Sequence, residues 1–278
     1  MRIVVVGLGV IGGSFTMALK EAGYDDVYGI DINEESLEKA KKLGLIKDGF
    51  TNGQEIIKSA DFIIISLYPR LVKQFIVDNK DNFKDGAIIT DATGIKKMFI
   101  EDIVNILPEN IDFVFGHPMA GREKKGIDFA SSQVFKNANY IITPVVRNKE
   151  ENLKMIEDLA YKIGFKRVRR ITPEHHDEMI GYTSQLPHSL AVALMNSDVE
   201  GRETGSFIGD SYRDLTRIAN INEDLWSELF LGNKDNLLKS IEDFETELDK
   251  IKHAIENDDT EALKELFIKS TKRREKLQ

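Results

Sequence analysis

The chain has 278 residues, of which 41% are hydrophobic and 31% charged, with a formal net charge of -9 and no cysteine. That length and apolar content suit a folded protein of two domains, and the missing cysteines exclude disulfides and thiolate metal sites. The acidic balance repels polyanions, so nucleic acid is not an expected partner; no run approaches the roughly 18 apolar residues of a membrane span, and a cytoplasmic address is the expectation.

The opening stretch MRIVVVGLGVIGGSFTMALKEAGYDDVYGIDI begins like a secretory signal, a basic Arg2 before Ile3 to Val6. A signal needs an unbroken apolar core, and here Gly7, Gly9, Gly12 and Gly13 interrupt it before Lys20 and Glu21 follow. Six further β-branched runs succeed RIVVVG with helical stretches between them: VYGIDI, FIIISLYP, AIITDAT, DFVFGHP, NYIITP and KRVRRI. Strands alternating with helices indicate an α/β fold, a doubly wound parallel sheet covered on both faces.

In that setting Gly7, Gly9 and Gly12 form G-x-G-x-x-G between the first strand and a helix expected from about Ile11 to Glu21. Gly7 permits the turn, Gly9 lets pyrophosphate approach, Gly12 lets helix pack on strand, and the amides of Leu8, Val10 and Ile11 complete the cradle. Asp31 ends the second strand, where an acid bonds a ribose 2′-hydroxyl and repels a 2′-phosphate, so the cofactor expected is NAD rather than NADP.

After Ile171 the β-branched runs stop, which places a domain change there: 1–171 for nucleotide binding, 172–278 helical, with Thr172 and Pro173 opening the first helix. Leu237, Ile241, Phe244, Leu248, Ile251 and Ile255 recur four and three apart, an apolar seam that must bury against another helix of this chain or of a second copy.

Of five histidines, His117 lies in GHPMAGRE at the C-terminal end of a strand, the edge at which open α/β sheets bind ligands. His188 follows Pro187 near a helix start and suits an anion contact or the surface. The adjacent His175 and His176 cannot face one point on a helix and have no third ligand, so no metal site is expected, and His253 reads as solvated. Arg213, Asp214 and Arg217 in GDSYRDLTRIANINEDLW are either ion-paired on the surface or a guanidinium fork for a carboxylate.

Taken in order, GLGVIGGS, TDATGIKK, GHPMAGRE, TSQLPHSLA and SYRDLTRIA followed by Trp226 resemble the prephenate dehydrogenase family over nearly the whole chain. The resemblance implies a Rossmann domain followed by an all-helical domain that forms a homodimer, and NAD-dependent oxidative decarboxylation of prephenate or, in some relatives, arogenate. It implies that His117 engages the ring hydroxyl and that His188, Arg217, Glu123 and Asp214 surround the substrate, Arg217 holding a carboxylate. Many members read D-x-G-S-x-K where this chain has Asp91-Ala92-Thr93-Gly94-Ile95-Lys96, leaving Thr93 or a water in place of the serine hydroxyl. Arg122 and Gln185 bear on the choice between substrates. The nearest rivals, β-hydroxyacid and 6-phosphogluconate dehydrogenases, place a lysine before an asparagine where SQLPHSLAVALMN has none. A non-catalytic NAD-binding sensor is the rival of another class.

Overall fold

A computed structural model describes residues 1–121 and 124–277. Five strands alternate with five helices at the start: β1 (Ile3–Val6), α1 (Val10–Glu21), β2 (Val27–Ile30), α2 (Glu34–Lys42), β3 (Gly49–Phe50), α3 (Gln54–Ile57), β4 (Phe62–Ile65), α4 (Pro69–Asn79), β5 (Ile88–Asp91) and α5 (Lys97–Ile106). Then come β6 (Asp112–Pro118), β7 (Asn139–Thr143), α6 (Glu150–Lys162) and β8 (Arg167–Arg170). The eight strands form one sheet in the order β3-β2-β1-β4-β5-β6-β7-β8.

Strands β1 and β4 are apolar at every position because both sheet faces are covered there. Ile3, Val5, Phe62 and Ile64 point into a core completed by Phe15 and Leu19 of α1 and Ile156 of α6. Their neighbours Val4, Val6, Ile63 and Ile65 point the other way, onto Ile57, Val72, Ile76, Phe99 and Ile103 of α3 to α5. The chain winds to opposite sides from β1 and from β4, which makes the gap between their C-terminal ends the switch point where ligands bind such sheets.

Two expectations about the sheet need correction. The two-residue strand β3 is too short to carry a sequence pattern, so His117 lies on the sixth strand and not the fifth. More substantially, β7 runs antiparallel to β6, pairing His117 with Ile141. The described residues between β6 and β7 hold two single 3₁₀ turns, Ile127–Phe129 and Ser132–Val134, and no helix that would carry the chain back to the other sheet edge. They fold over α1, where Ser14 Oγ accepts from the amide of Ser131, and the amide of Met119 then closes onto the Asn139 carbonyl like a wide hairpin.

Beyond β8 the structure is helical: α7 (Pro173–Ile180), α8 (Leu186–Asn196), α9 (Asp210–Thr216), α10 (Glu223–Gly232), α11 (Lys234–Glu256) and α12 (Thr260–Glu275). Thr172 caps α7 as expected, its side chain accepting from the amide of His175. The seam on α11 starts buried at Leu237, but Leu248 and Ile255 are 49% and 59% exposed, as are Phe267 and Ile268 of α12 at 58% and 54%. Among the described residues, no helix is long and apolar enough to cross a membrane.

Candidate active site

The glycine turn has the shape of a dinucleotide cradle. Gly7 has a φ of +83°, and a Cβ on it would lie 2.4 Å from the Ser66 carbonyl oxygen. A Cβ on Gly12 would lie 1.7 Å from the Gly7 carbonyl oxygen, whereas one on Gly9 would meet only open space. Gly7 and Gly12 thus hold the turn against the helix, and Gly9 keeps a gap over the N-terminus of α1. No side chain among the described residues caps that terminus, leaving its amides for an anion. The Asp31 carboxylate is aimed by two backbone donors, Leu8 N at 2.6 Å and Asn33 N at 2.8 Å. The amide of Leu8 is therefore directed at Asp31, and Val10 and Ile11 form the first turn of the helix. These residues fit NAD: an open phosphate gap, free helix amides and an oriented acid for a ribose.

At the C-terminal ends of β5 and β6 lies a buried ionic brace. Lys96 and Asp91 are wholly buried, with Lys96 Nζ 2.5 Å from Asp91 Oδ2. The same ammonium donates to the carbonyl oxygens of Gly116 at 2.6 Å and Thr93 at 3.0 Å, while Asp91 Oδ1 accepts from Gly116 N at 3.0 Å. Burial lowers the Lys96 pKa, against which the Asp91 carboxylate acts. The brace grips the residue immediately before His117. Thr93 belongs to it as well: its hydroxyl donates to Asp91 and lies 3.0 Å from Lys96 Nζ. The hydroxyl expected in place of the serine's is thus held within this network. Gly94 does stand at the serine position, where a Cβ would lie 3.7 Å from His117 Nε2.

The Nδ1 of His117 lies 2.8 Å from Nε2 of His176, and the Nδ1 of His176 lies 2.6 Å from Asp177 Oδ1. Asp177 also accepts from the amides of Lys96 at 2.9 Å and Lys97 at 2.8 Å, so a side chain of α7 caps α5. Burial, with His176 and the Lys96 ammonium beside it, holds the His117 pKa well below the ordinary imidazole value, and burial lowers that of His176 too. Both rest as neutral imidazoles. The sequence discounted His176 with His175 as a poor metal pair. Adjacent on α7, the two point apart: His175 is exposed and His176 is buried. Among the described residues no cluster is fit to hold a metal.

His188 is not at a free helix start, because Gly181–Gln185 form a π-turn that joins α7 to α8 without a break. Its Nδ1 donates to the Ser184 carbonyl at 2.8 Å, and its ring stacks on Trp226 with centroids 3.7 Å apart. Arg217, an exposed residue, opens a 3₁₀ turn packed on α8. Asp214 is exposed on α9, and Arg213 pairs with Asp210 rather than with Asp214 or Glu223. Gln185 is buried with both ends of its amide held, donating to the Leu229 carbonyl and accepting from Asn233, which ties the start of α8 to α10 and α11. Arg122 and Glu123 lie outside the described residues. His253 is exposed, donating to the Asp249 carbonyl.

Beside the Asp177 cap, contacts from α10 and the residue before it carry the helical region over the sheet edge: Asn222 donates to the Tyr68 hydroxyl at 2.8 Å, and Arg70 Nε pairs with Glu228 at 3.0 Å. His117 and the glycine turn thus lie at the same C-terminal edge of the sheet, and α10, which carries Trp226, reaches that edge through Leu229, whose Cδ2 would meet a Cβ on Gly94 at 3.4 Å.

Residues 15–169 match the family model for the prephenate dehydrogenase nucleotide-binding domain, and 172–269 that for the prephenate dehydrogenase dimerization domain. The prephenate dehydrogenase of Bacillus subtilis is 31% identical over 274 residues, spanning 95% of this chain and 73% of the relative. The crystal structure of prephenate dehydrogenase from A. aeolicus in complex with hydroxyphenyl propionate and NAD+ superposes with a TM-score of 0.89 at 32% identity, covering 99% of this chain and 98% of that one. An arogenate dehydrogenase from Synechocystis superposes at 0.84 with 26% identity, each chain covered in full. With one domain model matching more than half of its length and the other most of the remainder, the chain belongs to the prephenate dehydrogenase family.

Proposed function

We propose that the chain catalyses the NAD-dependent oxidative decarboxylation of prephenate to 4-hydroxyphenylpyruvate, the step that leads to tyrosine. The observation that carries this reading is His117 at the C-terminal sheet edge that also bears the glycine cradle, with Nε2 beside Gly94 and with burial holding its pKa well below the ordinary imidazole value. NAD, when bound, supplies the hydride acceptor.

The substrate carries a hydroxyl and a hydrogen on one ring carbon, opposite a quaternary carbon bearing carboxylate. His117 accepts the hydroxyl proton as that carbon gives up its hydrogen with both electrons, and the ring carboxylate leaves as carbon dioxide while its bonding pair completes the aromatic ring. A base of depressed pKa is already deprotonated at neutral pH, and such help is worth about 10²–10⁴ in rate. Arg217, as a bidentate donor, holds a substrate carboxylate; His188 and Asp214 line the same side, and Glu123 has the family position of an acid at the cleft mouth. Asp31 favours NAD over NADP by repelling a 2′-phosphate.

Residues 1–171 form the nucleotide-binding unit and 172–278 the helical unit. The exposed Leu248 and Ile255 of the α11 seam and Phe267 and Ile268 of α12 support a homodimer through that unit. The Synechocystis relative's name makes arogenate the second reading. NADH formation by the purified protein decides, with prephenate, arogenate and NADP compared in parallel. Turnover with prephenate and NAD is expected; silence with both ring substrates, despite NAD binding, rejects the proposal.

A further inference from the structure

We propose that His176 and Asp177 are positioning residues that fix the tautomer of His117, so that its Nε2 lone pair faces the cleft at Gly94. The inference deepens the base role proposed for His117 and rests on that reading.

The argument runs outward from Asp177. Each of its carboxylate oxygens accepts a backbone N–H, from Lys96 and from Lys97. A carboxylate committed as acceptor at both oxygens requires its third partner to donate, so the His176 Nδ1 at 2.6 Å carries the proton. A neutral imidazole with Nδ1 protonated has a bare Nε2, and that atom lies 2.8 Å from His117 Nδ1. Two lone pairs cannot share such a distance, so His117 Nδ1 carries a proton and its Nε2 is bare. That bare nitrogen is the one a Cβ on Gly94 would approach at 3.7 Å. When Nε2 takes the hydroxyl proton, the resulting imidazolium keeps its Nδ1–H on His176, whose ring is polarised by Asp177. The assignment also explains why a histidine 1% exposed stands where an apolar side chain would pack. Because Asp177 and His176 both lie on α7, the first helix beyond the sheet, the helical region sets the protonation pattern of a base on β6.

The test reads the histidine nitrogens directly. In ¹⁵N-histidine-labelled wild-type protein near pH 8, the His117 signals, identified as those absent from His117→Asn, should show a protonated Nδ1 and a bare Nε2. The reverse pattern overturns the proposal whatever the variants do. His176→Phe keeps an aromatic ring but no acceptor; kcat should fall at least about tenfold, towards the roughly 10⁴ lost when the carboxylate orienting a serine-protease histidine is removed, with NAD affinity unchanged. In His176→Gln the amide oxygen again accepts from His117 Nδ1–H, and most of kcat should return. Full activity of His176→Phe overturns the inference while leaving the base reading intact. Full activity of His117→Asn overturns the base reading itself.

Discussion

The ammonium of Lys96 and the carboxylate of Asp91 meet at 2.5 Å with both side chains wholly out of water, and the ammonium's next partner is the carbonyl of Gly116, one residue before His117. A buried pair adds little net stability over an apolar equivalent, but removing one member leaves an uncompensated charge. Lys96→Met should therefore destabilise the fold by about 3–5 kcal/mol, read as a lower urea midpoint with unchanged slope. Lys96→Met combined with Asp91→Leu should recover part of that loss, because no lone charge then remains. A Lys96→Met protein as stable as wild type would show that the brace is not the clamp described.

Gly9 and Gly12 share a motif and have separable tasks. Gly12→Ala drives a methyl into the Gly7 carbonyl, where a Cβ would sit at 1.7 Å, so thermal unfolding should reveal a loss of several degrees or failure to fold. Gly9→Ala meets nothing, so its melting temperature should match that of wild type. Its methyl occupies the gap that admits the pyrophosphate, so NAD affinity measured by calorimetry should fall. Equal effects of the two substitutions on stability would contradict this division.

Histidines held neutral by their surroundings link folding to pH. Both His117 and His176 have pKa values below the unfolded value of about 6.5, so below that pH the unfolded chain takes up protons the folded chain refuses. Their contribution to stability is complete above pH 6.5 and is lost as pH falls towards the folded values. Between pH 6.5 and 5, unfolding free energy should drop by up to about 1.4 kcal/mol per pH unit for each histidine, and His117→Asn should flatten that slope. Over the same range kcat/KM should stay level below 6.5 before declining, as befits a base with a depressed pKa. A rise in stability on acidification would reverse the sign of this argument.

How far the sequence reaches depends on the kind of signal. Residues 3–6 and 62–65 read as strands because a sheet covered on both faces demands unbroken apolar runs, and the glycine spacing located the cradle because its reasons are local and steric. The reversal of β7 depends on where residues 119–138 travel, which no periodicity records. The hydroxyl of Thr93 and the amide of Gln185 have no partner legible in a sequence; folding engages the one with Asp91 and Lys96 and the other with Leu229 and Asn233. His176 and Asp177 were missed for the same reason: 59 and 60 positions after His117, they matter only once α7 packs against α5, and a buried polar chain has no sequence pattern of its own.

Arg217 tests the substrate side of the cleft. It opens a 3₁₀ turn on α8, exposed, and carries the planar fork that suits a carboxylate. Arg217→Ala should raise KM for prephenate by an amount equivalent to roughly 1.5–3 kcal/mol, a charged hydrogen bond's worth, about 10- to 150-fold. Because the guanidinium holds a carboxylate in the ground state and has no proton to exchange with the ring hydroxyl, kcat should change much less. NAD affinity should stay at the wild-type value, since the cradle lies on the sheet side. Arg217→Lys keeps the charge and loses the fork, so its KM should fall between wild type and alanine. Unaltered saturation by prephenate in Arg217→Ala would remove Arg217 from the site; a loss confined to kcat would place it instead against the reacting ring.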